Sequence, residues 1–153
     1  CTADDIEACK KLAKIAGIDI EEYGRAMFKA GSNIESRTPK DLFNRDFKKF
    51  SVGDVVIGVG QVNCMEQEEV QNIKVKMKDY ISTVTGDNGM DMVFFMITNV
   101  LDGGSEVLCS GKNASATISQ AFNVGTTDDS VYLDGVVSRK KQMLPAIMEA
   151  LQQ

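Results

Sequence analysis

The sequence MVFFMITNV at residues 92–100 decides the fold, because every residue from Met92 to Ile97 is apolar. Successive side chains of a β-strand point to opposite faces of the sheet, so a strand that is apolar at consecutive positions needs a cover on both faces. The apolar run is also far too short to cross a membrane as a helix. We therefore place residues 92–100 in a central strand, with helices packed on both sides of the sheet.

Strand-like and helix-like patterns alternate on both sides of this segment. Residues 55–62 form a β-branched run, and residues 68–84 place apolar side chains at helical spacing. Further strands are predicted at 106–109 and at 131–137 with an interruption at Asp134-Gly135, and further helices at 114–122 and from 142 to the end. Such alternation predicts an α/β fold with a mixed β-sheet flanked by helices.

The sequence of the first part of the chain predicts helices and no strands. Residues 3–16 and 20–30 have helical patterns that end at glycines, and residues 32–37 have the composition of a linker. Thr38-Pro39 then opens a short helix, with threonine as its cap and proline at its first position. We predict a helical lead-in over 1–31, a linker over 32–37 and one domain over 38–153. Because the chain starts at Cys1 rather than at a methionine, we expect a longer parent protein.

The composition excludes several classes of function. The 153 residues are 43% hydrophobic and 25% charged, as in an ordinary globular protein. The net charge of −5 argues against a nucleic-acid or membrane-surface partner. The absence of histidine removes the commonest general base and the commonest transition-metal ligand. The four cysteines lack a Cys-x-x-Cys pair, so we expect reduced thiols in a cytoplasmic protein, without a zinc ribbon or redox motif.

The segment Ser138-Arg139-Lys140-Lys141-Gln142 is the sharpest candidate for chemistry. It puts three cations between a predicted strand and the first turn of the last predicted helix. Cations are mildly unfavourable at a helix N-terminus, whereas the free backbone N–H groups there stabilise an anion. Arginine can also grip two phosphate oxygens at once, whereas lysine acts as a point charge. From these residues alone, an anion site and a solvated basic turn both stay open, and short charge runs are more often solvated.

Two other motifs are interpreted structurally. The segment Asp46-Phe47-Lys48-Lys49-Phe50 lies just before the first predicted strand, and on its own it predicts a surface turn that its phenylalanines anchor to the core. Gly58-Val59-Gly60-Gln61 lacks the further glycine and the Gly-Lys-Ser/Thr of phosphate-binding loops, so we interpret it as strand whose glycines allow close packing. The eight methionines predict core filling rather than a metal site.

Taken in order, these segments resemble the C-terminal domain of family II inorganic pyrophosphatases, the manganese-dependent enzymes of the Asp-His-His (DHH) phosphoesterase superfamily. The resemblance covers nearly the whole chain, and its most specific part is the Ser-Arg-Lys-Lys-Gln segment. Residues 1–31 would then correspond to the end of the family's N-terminal domain. The matching segments are residues 46–50, 57–62, 97–100 and 135–142, followed by Pro145.

The resemblance implies roles for particular residues. In the family, the N-terminal domain holds divalent metals with Asp and His, and the C-terminal domain closes over them and binds pyrophosphate. By position, Arg139 and Lys140 match the family's substrate-binding pair, and Lys48 matches the lysine of its Asp-x-Lys-x-Phe segment. We expect these three side chains to converge on one anion site. Further contacts are expected from the neighbours of the pair, which are Ser138, Lys141 and Gln142.

The implied function is to bind pyrophosphate in a manganese-dependent enzyme that hydrolyses diphosphate to two phosphates. The manganese would belong to the missing N-terminal domain, and no metal ligand or catalytic residue is expected in this chain. The chain alone is expected to be inactive, because it has no histidine and no clustered carboxylates. One departure is that Asn99 stands where the family usually has Asp, which weakens any acid role there. The alternatives are a related exopolyphosphatase domain and a stand-alone anion-binding module without catalysis.

Overall fold

The computed structural model describes residues 7, 8, 11, 38–87, 89–127 and 129–152. The chain divides into two compact units, residues 1–36 and residues 37–153, and the second contains nearly all of the described residues. The predicted helices at 3–16 and 20–30 and the linker at 32–37 lie outside the described residues, apart from residues 7, 8 and 11, which are helical. The domain boundaries drawn from the sequence therefore stay a prediction.

Among the described residues, five strands form one mixed sheet in the order β1-β2-β3-β4-β5. Strands β2 and β3 run parallel, and the other neighbouring pairs are antiparallel. The predicted α/β fold with a mixed, helix-flanked sheet is confirmed. The strands are β1 (Phe47–Val52), β2 (Val55–Cys64), β3 (Met92–Asn99), β4 (Gly104–Gly111) and β5 (Ser130–Asp134). The helices are α1 (Pro39–Arg45), α2 (Gln67–Asp87), α3 (Ala114–Phe122) and α4 (Leu144–Gln152), with a π-helical turn (Arg139–Met143) directly before α4.

Strand β3 lies at the centre of the sheet, and all of its residues are buried. On one face, Phe94 and Met96 belong to an apolar cluster that includes Ile118 of α3 and Ile147 of α4. On the other face, the sheet is covered by α2, which buries an apolar stripe that includes Ile73 and Met77. The consecutive apolar residues of β3 thus have a helical cover on both sides, as the sequence predicts.

Strand β1 corrects one prediction from the sequence. Residues 47–52 form an edge strand paired antiparallel with β2, not the predicted surface turn. The pattern is hard to detect because Phe47 and Phe50 are three residues apart and so point to opposite faces. Phe47 packs against Phe43 of α1, with ring centroids 4.3 Å apart, whereas Phe50 packs against the apolar cluster on the other face. The phenylalanines anchor the segment to the core, but they do so from within a strand.

The glycines of β2 permit close packing, as predicted. A Cβ atom added to Gly58 would lie 2.5 Å from the ring of Phe47 and 2.7 Å from the sulfur of Met90. The ring of Phe47 therefore occupies the space that a side chain at residue 58 would need. The methionine prediction holds in part, since five described methionines, among them Met77 and Met92, are buried in the core, whereas Met148 is exposed.

Three element boundaries are informative. Thr38 caps α1, because its hydroxyl oxygen accepts a hydrogen bond from the backbone N–H of Asp41 at 3.2 Å, as predicted. Strand β5 ends at Asp134, just before Gly135, whose φ of +75° turns the chain out of the sheet. The last helical segment begins at Arg139, three residues before the predicted start. No helix within the described part of the chain is long and apolar enough to span a membrane.

Candidate anion-binding site

The basic segment forms a π-helical turn. The backbone N–H of Met143 donates to the carbonyl of Ser138 at 3.1 Å, and the N–H of Leu144 donates to the carbonyl of Arg139. Both hydrogen bonds span five residues instead of the four of an α-helix. The turn is therefore wider than an α-helical turn, and π-helical segments of this kind are frequent at functional sites.

Two polar side chains hold this turn in place. The hydroxyl oxygen of Ser138 accepts a hydrogen bond from the N–H of Lys141 at 3.2 Å. The side-chain oxygen of Gln142 accepts from the N–H groups of Val137 (2.9 Å) and Ser138 (3.0 Å), while its Nε2 donates to the carbonyl of Gly135 at 2.8 Å. This is a reciprocal capping arrangement, shifted by one residue to fit the wider turn. Ser138 and Gln142 thus have structural partners, and their contact with an anion stays a prediction.

Arg139 is the predicted site residue with the most contacts. Its side chain is only 12% exposed. Nη1 donates to the carbonyl of Asp46 at 2.6 Å and to the carbonyl of Val59 at 3.5 Å, and Nη2 lies 2.8 Å from the Asp46 carboxylate. These contacts take three of the five N–H donors of a guanidinium group and leave two for a ligand. The structure therefore fixes the orientation of Arg139 without using all of its donors.

Lys48 lies on the same side of the sheet as the turn. It is paired directly with Val59, and side chains of directly opposed residues in an antiparallel pair point to the same face. Val59 belongs to the apolar cluster that includes Met143 of the turn, so Lys48 shares that face. The carbonyl of Val59 is also one of the groups that Arg139 contacts. The sheet thus brings the strand of Lys48 next to Arg139 across about ninety residues of sequence, consistent with the expected shared site.

The remaining cations of the turn are exposed. Neither Lys140 nor Lys141 has a side-chain hydrogen bond or ion pair with another described residue, and the same is true of Lys48. Arg139 has one carboxylate partner, Asp46, which is 49% exposed. Three exposed cations thus have no counter-charge among the described residues, in a protein whose net charge is −5. Like charges repel one another in the free protein, so an anion bound among them would be stabilised.

A second basic region lies on the opposite face of the sheet. A groove beside α2 is lined by Lys74, Lys78 and the exposed Tyr132, among other residues. Lys74 already pairs with Glu106 at 2.7 Å, and this carboxylate lines the same groove. Because this groove mixes both signs of charge, it is a weaker anion site than the turn.

A comparison with known protein families identifies the domain. The family model of the DHHA2 domain matches residues 25–150 of the chain. This chain belongs to the DHHA2 domain family. The match contains the strand of Lys48 and the whole π-helical turn, and the predicted resemblance is thereby confirmed.

Relatives of this DHHA2 domain include two clostridial enzymes. A probable manganese-dependent inorganic pyrophosphatase of Clostridium acetobutylicum is 40% identical over 99% of the chain, which spans 48% of that protein. The cobalt-dependent inorganic pyrophosphatase of Clostridium perfringens is 36% identical, also over 99% of the chain, which spans only 27% of that protein. The chain therefore covers half or less of the length of these relatives.

A solved structure has the same fold. It is the crystal structure of a Methanococcus jannaschii protein that is assigned to the family II inorganic pyrophosphatases. It superposes with a TM-score of 0.77 and 37% identity, covering 99% of this chain and 49% of that one. The DHHA2 fold is thus shared at the level of both sequence and structure.

The described residues of the DHHA2 domain do not offer the ligands of a manganese site. The sequence has no histidine, and no cluster of three or more carboxylates and thiols occurs among the residues that the structure describes. Burial raises the pKa of the thiols of Cys64 and Cys109 to about 12, so both stay protonated near neutral pH and are poor metal ligands. The described residues therefore do not fit the metal named for the relatives.

Asn99 of the DHHA2 domain has a structural role. It is 3% exposed, and its side-chain oxygen accepts from the backbone N–H groups of Leu101 and Asp102 at 3.1 and 3.2 Å. Its Nδ2 donates to the Asp102 carboxylate at 2.9 Å. These contacts close the loop between β3 and β4. Because Asn99 is an amide and not an acid, it can donate to the carboxylate of Asp102.

Proposed function

We propose that this chain is the pyrophosphate-binding part of a manganese-dependent inorganic pyrophosphatase that hydrolyses diphosphate to two phosphates. The proposal is supported mainly by the group of cations on one face of the sheet. In this group, Lys48 and Lys140 have no counter-charge among the described residues. The names of the relatives support pyrophosphate as the anion. The proposed setting is the cytoplasm, in keeping with the unpaired thiols of Cys64 and Cys109.

Each cation has a distinct proposed role. Arg139, already oriented by Asp46, would bind two phosphate oxygens with its two remaining N–H donors. Lys48 and Lys140 would act as point charges on the rest of the anion. Together they would hold the diphosphate and neutralise the charge that develops on the transferred and leaving phosphoryl groups. Lys141, beside Lys140, would add to the local field.

The rest of the chemistry would belong to another domain. The described residues lack ligands for a divalent metal, so the proposal assigns the metal and the activation of water to the part of the longer protein that this chain does not cover. Closure of the two domains would exclude solvent around the anion. The chain alone should therefore bind pyrophosphate weakly and should not hydrolyse it.

The test combines binding with turnover. The 153-residue chain is titrated with pyrophosphate by calorimetry, and phosphate release is measured with manganese present. The proposal predicts saturable binding that weakens as salt concentration rises, without phosphate release. Absence of binding up to millimolar pyrophosphate would rule out the binding role, and manganese-dependent turnover by the pure chain would show that the assignment of catalysis to another domain is wrong.

A further inference from the structure

A row of three hydrogen-bonded polar side chains crosses the largely apolar face of the sheet beneath the turn. Gln61 of β2, Thr98 of β3 and Ser105 of β4 lie side by side on this face. Nε2 of Gln61 donates to the hydroxyl oxygen of Thr98 at 2.9 Å, and the hydroxyls of Thr98 and Ser105 are 2.8 Å apart. Thr98 and Ser105 are 1% and 0% exposed. Buried hydroxyl groups are costly unless they are hydrogen-bonded, and here every one has partners.

The hydrogen bonds among these three side chains all point in the same direction, from Gln61 towards Ser105. Ser105 donates its only hydroxyl proton to the carbonyl of Val136 at 2.6 Å. Thr98 must then be the donor to Ser105, and Gln61 is the donor to Thr98. Hydrogen bonds aligned in this way polarise and strengthen one another. The orientation of the Gln61 amide is therefore determined by the network.

At its Gln61 end, this series of hydrogen bonds reaches the segment that leads into the site. The second N–H of Gln61 Nε2 donates to the carbonyl of Val137 at 2.9 Å, directly before Ser138. The backbone N–H of Gln61 donates to the carbonyl of Asp46 at 3.2 Å, and this carbonyl also accepts from Arg139. Gln61 is thus bonded both to the start of the strand that carries Lys48 and to the entrance of the turn that carries Arg139.

We propose that Gln61, supported by Thr98 and Ser105, is a positioning residue that fixes the separation between Lys48 and the Arg139–Lys140 pair, and thereby makes the site prefer a diphosphate to a monophosphate. On this proposal, a monophosphate would contact only one of these two groups of cations at a time, whereas a diphosphate would bridge both. Its affinity therefore depends on their spacing, since misplaced contacts forfeit binding energy. This inference rests on the proposed function and adds a determinant of ligand length to it.

The experiment measures two affinities for each variant of the 153-residue chain. Kd is determined by titration for inorganic pyrophosphate and for orthophosphate. Gln61→Met keeps the length of the side chain but removes both donors. It is expected to weaken pyrophosphate binding about 10-fold, which corresponds to about 1.4 kcal/mol, while orthophosphate binding changes by no more than about 2-fold. A general loss of structure would weaken both anions alike, so the ratio of the two Kd values separates positioning from stability.

A second pair of variants provides a matched control. Thr98→Val keeps the shape of the side chain and removes the hydroxyl, whereas Thr98→Ser keeps the hydroxyl. The inference predicts that Thr98→Val loses the preference for pyrophosphate and that Thr98→Ser retains it. An unchanged Kd ratio in Gln61→Met or in Thr98→Val would overturn the inference, while Arg139→Ala would still weaken binding if the proposed function is right. If the unsubstituted chain binds no pyrophosphate, both the proposed function and this inference are wrong.

Discussion

Replacement of Arg139 by alanine is the most informative single substitution. It removes the guanidinium that bonds to the carbonyl and carboxylate of Asp46, and it removes the two N–H donors that remain for an anion. It leaves the backbone hydrogen bonds of the turn intact, because these use main-chain groups of Ser138, Arg139 and their neighbours. The change therefore tests the anion contact more than the fold.

The expected magnitude follows from the donors that are left. A hydrogen bond to a charged group contributes about 1.5–3 kcal/mol, so two such bonds to one phosphate would contribute about 3–6 kcal/mol. The lower end applies, because the Asp46 carboxylate already offsets part of the guanidinium charge and repels the anion. A loss of about 3 kcal/mol corresponds to an increase in Kd of about 150-fold.

The assay is a calorimetric or fluorescence titration with pyrophosphate at fixed ionic strength. Arg139→Lys should be intermediate, because it keeps the charge but loses the planar fork. Lys140→Ala should weaken binding less than Arg139→Ala, since only a point charge is lost. Lys112→Ala is the matched control, because it removes an exposed cation in the turn after β4, and Kd should then change by less than about 2-fold at physiological salt.

Two results would contradict a role of Arg139 in anion binding. If Arg139→Ala binds pyrophosphate as well as the unsubstituted chain does, the guanidinium only ties the turn to Asp46 and has no role in anion binding. If Lys112→Ala weakens binding as much as Arg139→Ala does, the anion responds to overall charge and not to a built site. A thermal melt of each variant shows whether loss of the Asp46 contacts has unfolded the domain.

Other predictions concern the fold and its response to pH. Gly58→Ala should destabilise the domain by about 1–3 kcal/mol in urea unfolding, because the new methyl meets the ring of Phe47 and the sulfur of Met90. Gly86→Ala, in open space within α2, should instead be neutral or stabilising by up to about 1 kcal/mol. Equal losses at both sites would contradict the packing argument. Burial raises the pKa of the Cys64 thiol from 9.0 to about 12, so the folded state holds a proton that the unfolded state releases. The free energy of unfolding should not depend on this ionisation below pH 9 and should fall above pH 9 by about 1.4 kcal/mol per pH unit and thiol. Cys64→Ala should reduce this slope, and an unchanged slope would show that the thiol is not responsible. Asn99→Asp should cost about 1–3 kcal/mol at pH 7, because a carboxylate replaces the donor to Asp102; the loss should diminish near pH 4, and a variant as stable as the unsubstituted chain at pH 7 would contradict this role.

The parts of the fold that the sequence predicts are those with a strong pattern of apolar residues. Residues 92–97 are apolar at consecutive positions, which demands a central strand, and the apolar stripe of α2 has a clear helical period. Strand β1 is missed, because an edge strand needs little apolar surface and the lysines between Phe47 and Phe50 conceal any alternation. The π-helical turn is also missed, because it is accompanied by a Gln142 side chain that closes back on the N–H groups of Val137 and Ser138, which no spacing rule anticipates.

The candidate site is predicted in part. The cations at 139 and 140 follow one another in sequence, and Lys48 is added through the resemblance to a known family. Asp46 and Gln61 are not identified as partners of the turn, because Arg139 lies 93 residues from Asp46 and Val137 lies 76 residues from Gln61. Contacts of this kind depend on the register of β1 with β2 and on the path of the chain after β5. A signal was present in Gln61 and Thr98, two polar residues that lie toward the ends of largely apolar strands.

A pyrophosphate titration of the isotopically labelled chain, followed by NMR of its backbone amides, would locate the bound anion residue by residue. The largest shifts should cluster at residues 138–142 and around Lys48 with a common Kd, and Arg139→Ala should abolish them together. Shifts that cluster instead along the groove of Lys74 and Lys78 on the opposite face would contradict the assignment of the site. Uniform small shifts without saturation would contradict the claim that this domain binds pyrophosphate at all.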